Sequence, residues 1–220
     1  MAQTEFLNIT VDPVQLREVE TYLRNVKNGA PKVMADAINR TLDQTKTWLS
    51  SELRKKVAIP KRLIDRRIDV KKTGPNQLAG SMTVEYERRL SLGDFGPRQT
   101  ARGVSYKLAP GGRGFVPGAF VITLPSRNGP YTQVFKRAKD WEHRTPQHRA
   151  GHRRKGKSGL KIISLKGVSP WYLVKSGGLL QPTVAKANEL LAKNIDNRLD
   201  RLLFTKTGSS LATVRAGGEA

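Results

Sequence analysis

The sequence contains no cysteine. A disulfide scaffold, a cysteine nucleophile and thiolate metal sites are therefore excluded, and the composition fits assembly in a reducing cytoplasm. Acidic residues are scarce. Eighteen Asp and Glu stand against 40 Lys and Arg, which gives a formal net charge of +22. No apolar run approaches the roughly 20 residues that a membrane-spanning helix needs. Met1 to Glu5 lacks the basic and apolar regions of a secretion signal, so the chain is expected to stay where it is made. No reading helix, zinc finger or aromatic platform is visible, so sequence-specific reading of bases is not expected.

What is present is enough for a fold. The 220 residues suffice for one sizeable domain or two small ones, and 37% hydrophobic residues allow a real but modest core. The dominant global feature is the charge. It favours a polyanionic partner, usually nucleic acid, and the competing reading is a basic surface that meets an acidic protein.

Along the chain, Phe6 to Val11 alternates as a strand, with Leu7, Ile9 and Val11 on one face. Asp12-Pro13-Val14-Gln15 then has the cap and first-turn residues of a helix, which Asn28-Gly29 is expected to end. A second helix restarts at Pro31. Met34, Ile38, Leu42, Thr45, Leu49 and Leu53 form its apolar stripe, and Pro60 stops it near Ile59. Pro60 to Arg67 reads as a short basic helical turn.

From Ile68 to Arg137 the period becomes two. Met82 to Glu87, Val104 to Leu108, Phe115 to Leu124 and Tyr131 to Arg137 are strand candidates, separated by turns at Ala109–Gly112 and Arg127–Pro130. They predict an antiparallel meander. Ala138 to Gly159 is almost free of apolar residues and reads as an exposed basic loop that orders on meeting a partner. Leu160 to Leu165 returns to strand. A last helix starts at Gln181-Pro182, with Val184, Leu191, Ile195, Leu199 and Leu202 on one face, and Thr205 to Ala220 has the composition of a loose tail.

Catalytic constellations are weak. His143, His148 and His152 all lie in the basic loop, where Pro146, Gly151 and many cations oppose a metal site. Glu85, Glu87 and Asp94 could be taken for a nuclease centre, but Glu85 and Glu87 have the ordinary polarity of a strand's solvent side. Pro110-Gly111-Gly112-Arg113-Gly114 lacks the lysine-serine ending of a phosphate loop and reads as a hairpin tip. Neither a metal nor a cofactor is expected.

Two basic constellations are more informative. The first is Lys55, Lys56, Lys61, Arg62, Arg66 and Arg67, preceded by Arg54. The second lies between Lys136 and Lys157, where Arg144, Arg149, Arg153, Arg154, Lys155 and Lys157 are the candidates for contact with nucleic acid or a protein partner. Phosphate contacts need cations without special spacing, so both could follow a DNA backbone. Trp141 is a large aromatic in the charged loop and a candidate interface anchor. Trp171, beside Pro170, is expected in the core or an interface.

Ala37-Ile38-Asn39-Arg40, then Lys61-Arg62-Leu63-Ile64-Asp65-Arg66, then Val116-Pro117-Gly118-Ala119-Phe120-Val121, then Val134-Phe135-Lys136-Arg137 occur in an order that resembles the phage minor tail protein Z family. The resemblance covers roughly Pro31 to Phe204, and the N-terminal strand and helix and the histidine-rich loop depart from it. It implies a late role in tail assembly at or near the head-proximal end, in completing the tail and placing the DNA end. It also implies location in the virion, with other tail or neck proteins as partners, and it carries no catalytic residues. A narrow tail lumen suits cations that hold DNA by charge, and proteins around a tube generally close into rings by self-association.

The fold expected is α+β: a small antiparallel β-sheet packed with long amphipathic helices, and one long basic loop. An N-terminal strand and helix (1–29) precede a main domain (30–204, with 138–159 the exposed loop) and a tail (205–220). The function expected is a structural, non-enzymatic virion protein. The alternatives are a stand-alone, sequence-independent nucleic-acid-binding protein and another head–tail connector or tail terminator.

Overall fold

The structure, a computed structural model, describes residues 3–10, 12–23, 29–85, 89–108, 110–127, 129–137 and 162–207. The α+β expectation holds, with two compact units rather than one sheet under helices. The first comprises Met1–Arg54, Lys61–Arg88 and Ser169–Ala220, and the second Lys55–Pro60 and Arg89–Val168.

In the first unit, β1 (Gln3–Thr10) places Leu7 and Ile9 inward and Asn8 and Thr10 outward, as the alternation predicts. Asp12 caps α1 (Pro13–Tyr22) by accepting the Val14 N–H at 3.0 Å. The expected stop at Asn28-Gly29 is wrong: α1 ends at Tyr22, and Gly29 is the first residue of α2 (Gly29–Lys56). Glycine followed closely by proline serves a helix start as well as a stop, because the first turn's N–H groups have no intrahelical carbonyl to meet. All six stripe residues of α2 are buried.

The short α3 (Lys61–Asp65) leads into β2 (Ile68–Lys71), and β3 (Ala79–Glu85) lies between β1 and β2, antiparallel to both. A side chain on Gly80 of β3 would come within 2.7 Å of Leu42 Cδ1 and 3.0 Å of Ile38 Cγ2, so its absence lets α2 lie close against the strand. Asn39 ties helix to sheet connection by exchanging two 2.8 Å hydrogen bonds with the Thr73 backbone.

Between β6 (Gly114–Pro117) and α5 (Leu180–Thr207), the chain also forms α4 (Pro170–Ser176), a helix that was not expected. Its signals were in the sequence: Ser169 accepts the Tyr172 N–H, and Pro170 occupies the first turn. Two turns are too few for a helical period to register. Trp171 is buried, as expected. A helical core joins Val19 and Leu23 of α1, Ala30, Val33, Met34 and Ala37 of α2, and Ile195, Leu199 and Leu203 of α5. α5 keeps helical backbone to Thr207, past the point where the composition loosens.

The second unit holds two three-stranded antiparallel sheets. β4 (Arg98–Thr100), β5 (Gly103–Tyr106) and β6 form one, and β7 (Ala119–Leu124), β8 (Tyr131–Arg137) and β9 (Ile162–Ser164) the other. The stretch Phe115 to Leu124, expected as one strand, is two. Gly118 lies between them at φ +69°, a left-handed conformation that glycine takes at low cost, and the chain changes sheets there. The core of this unit includes Leu90, Leu92, Phe95, Val104, Ala119 and Val134. Leu92 belongs to a 3-10 turn (Leu92–Phe95) rather than a strand, with Ser91 and Asp94 forming a capping box.

Candidate polyanion interface

The first basic constellation divides between the units. Lys55 and Lys56, exposed at the end of α2, are grouped with the second unit, whereas Lys61, Arg62, Arg66 and Arg67 belong to the first. Within α3, Ile64 is buried and fixes which side of the turn faces inward. Lys61, Arg62 and Arg66 are then exposed. Lys61 lies 3.9 Å from Asp65, a loose and solvated ion pair that takes little from its availability.

Arg67 differs. Its guanidinium bonds Glu85 Oε2 at 2.7 Å, with both side chains about four-fifths buried (23% and 21% exposed), and its carbonyl accepts the Glu85 N–H at 3.0 Å. Arg67 thereby extends the β2–β3 pairing by one residue. Glu85, a suspected metal ligand on nuclease grounds, is held in that pair, and Asp94 accepts the Ser91 N–H at 3.1 Å as part of the cap. Among the described residues no group of three or more His, Asp or Glu is placed to hold a metal. No helix among them is long and apolar enough to cross a membrane. The glycine-rich segment is a hairpin tip, as expected. It joins β5 to antiparallel β6, and Arg113 steadies it through the carbonyls of Gly96 (3.2 Å) and Ser105 (3.1 Å).

Arg144, Arg149, Arg153, Arg154, Lys155, Lys157, Trp141 and the three histidines lie outside the described residues. Their sequence still matters for the charge of the unit that contains them. The second unit carries 19 Lys and Arg against three Asp and Glu, and the first carries 21 against 15. Most of the excess charge thus belongs to the smaller unit. Arg98, Arg102, Lys107, Arg113, Arg127 and Arg137 add exposed cations there that a search for dense basic runs passes over, because they are spread singly along strands and turns.

The β7–β8–β9 sheet adds an aromatic feature that the sequence did not reveal. Phe120 and Phe135 stack with ring centroids 6.2 Å apart, and the Arg137 guanidinium carbon lies 5.7 Å from the Phe120 centroid. Alternation was visible in both strands, but β7 has apolar residues at both parities, so the outward face could not be read from it.

No curated protein and no solved structure matches the chain. The model of one family, prophage minor tail protein Z (GPZ), matches residues 16–146. The match takes in most of α1, which the quoted motifs had left out, and does not reach α4 or α5. The chain accordingly belongs to the prophage minor tail protein Z family and is a structural component of a phage tail.

Proposed function

We propose that this minor tail protein completes the tail at or near its head-proximal end, where copies self-associate around the tail axis and hold DNA by charge, with no covalent step. The observation that carries the reading is the uneven charge: 19 basic residues against three acidic ones in the second unit. A polyelectrolyte such as DNA releases condensed counterions to such a surface whatever its sequence. The exposed Lys61 and Arg62 of α3, and Arg66 just after it, supply phosphate contacts from the first unit, and the exposed Lys55 and Lys56 add to those of the second. Trp141 anchors the basic segment to a neighbouring tail or neck protein.

The test replaces Arg149, Arg153, Arg154 and Lys155 with glutamine and compares entry into particles with DNA delivery. Particles that incorporate the protein but deliver DNA poorly support DNA contact. Failure to enter particles assigns the segment to an acidic neighbour instead. Normal values for both remove the segment from the mechanism and move the contact to Lys61, Arg62 and Arg66. A substitution that abolished a measurable nuclease turnover while leaving incorporation intact would overturn the non-enzymatic reading.

A further inference from the structure

One face of the β7–β8–β9 sheet is turned away from the core of its unit. On the inward parity, Ala119 and Val134 are buried at 3% and 0% exposure, while Ile163 at the β9 edge is 48% exposed. On the other parity Phe120 and Phe135 are half-buried, while Tyr131 and Ile162 are 50% and 44% exposed. The register sets Phe120 opposite Phe135, Leu124 opposite Tyr131, and Ile162 opposite Arg137. Tyr131 and Phe135 therefore lie on one strip, about 13 Å apart along β8, with Gln133 between them and bonded to Ser91 and Ser164, and with Arg137 beside the phenylalanine pair.

We infer that this face binds single-stranded nucleic acid, with unpaired bases stacked on Tyr131 and on the Phe120–Phe135 pair and a phosphate met by Arg137. The inference rests on the DNA contact proposed above and narrows it to unpaired nucleotides. Charge selects the occupant. A second copy would bring its own excess of cations to the same surface, and like charges there oppose pairing. A duplex satisfies the cations but hides the faces of its bases. A single strand offers both phosphates and open aromatic faces, and stacking on side chains is tolerant of sequence.

Binding of the purified full chain to a labelled oligothymidylate of about 15 nucleotides, and to a duplex of the same length, is measured by fluorescence anisotropy. The single strand should bind more tightly at equal salt. Tyr131→Ala and Phe135→Leu should each weaken single-strand binding by about 5- to 100-fold and leave duplex binding unchanged, and Tyr131→Trp should retain it. Tyr131 is half exposed, so its variants should melt at the wild-type temperature; should Phe135→Leu unfold, the Tyr131 pair of variants still decides. Equal binding of both nucleic acids, untouched by the Tyr131 variants, overturns stacking and leaves the charge-based contact standing. Binding of neither overturns both readings. Dissociation of an oligomer by Tyr131→Ala, with oligonucleotide binding unchanged, assigns the face to a second copy and overturns the inference.

Discussion

Gly93 is required by what stands next to it. A Cβ there would lie 1.9 Å from the Thr132 carbonyl oxygen, which is backbone and cannot rotate away. The 3-10 turn can sit beside the first half of β8 only because that atom is missing. Gly93→Ala should therefore cost about 1–3 kcal/mol or more in a reversible urea titration, the usual scale of overpacking; an unchanged midpoint would mean that the turn moves freely. Leu42 shows the opposite situation. It is fully buried, close to Gly80. Leu42→Ala should cost about 2–5 kcal/mol, from lost transfer energy and the cavity left behind. A loss near zero would mean that this stripe of α2 is not core.

At the scale of elements, α2 and α5 meet through a polar contact as well as through leucines. Asn194 is buried and donates to Thr41 Oγ1 at 3.0 Å and to Gln44 Oε1 at 2.9 Å. Thr41 in turn donates to the Ala37 carbonyl at 2.8 Å, so the Asn194 amide and the Thr41 hydroxyl both have partners. Asn194→Ala leaves the Gln44 acceptor short of a donor and should lower stability by about 1–3 kcal/mol, with far-UV helicity at low denaturant unchanged. A matching loss of helical signal would place the residue's role in forming α5 rather than in docking it. The reading of α5 from sequence had Val184, Leu191 and Leu202 on the inner face, and these are only half-buried. Asn194 and Thr183 are more deeply buried than any of the three. A hydrophobic stripe gives the side of a helix to within about one position, but it cannot reveal a buried amide whose partners are 150 residues away.

At the scale of the molecule, the charge yields a salt prediction. If the cations meet phosphates, affinity for nucleic acid should fall about a thousandfold or more between roughly 50 and 200 mM salt, as expected for six or more contacts. Each contacting Lys or Arg changed to Gln should lower the log–log slope by about one. A flat salt response with retained affinity would remove electrostatics from the account. Arg67 is expected to be silent in this assay, because its guanidinium is already bound to Glu85.

Local signals fixed a large part of the protein from sequence alone. The Asp12 cap, the alternation of β1, the α2 stripe and the turn at Gly111-Gly112 all act between near neighbours in the chain, where cap chemistry and periodicity suffice. The family motifs and the net charge were equally legible, since order and composition need no coordinates. The tertiary structure decided the rest. It alone paired β1 with β3 across 68 intervening residues or more, divided the β region into separate sheets at Gly118, and gathered most of the excess charge into one unit. It alone distinguished Arg67, held by Glu85, from its exposed neighbours Arg62 and Arg66. It brought Phe120 and Phe135 into contact because strand register, set by long-range pairing, determines which side chains share a face, and alternation within one strand cannot supply that register.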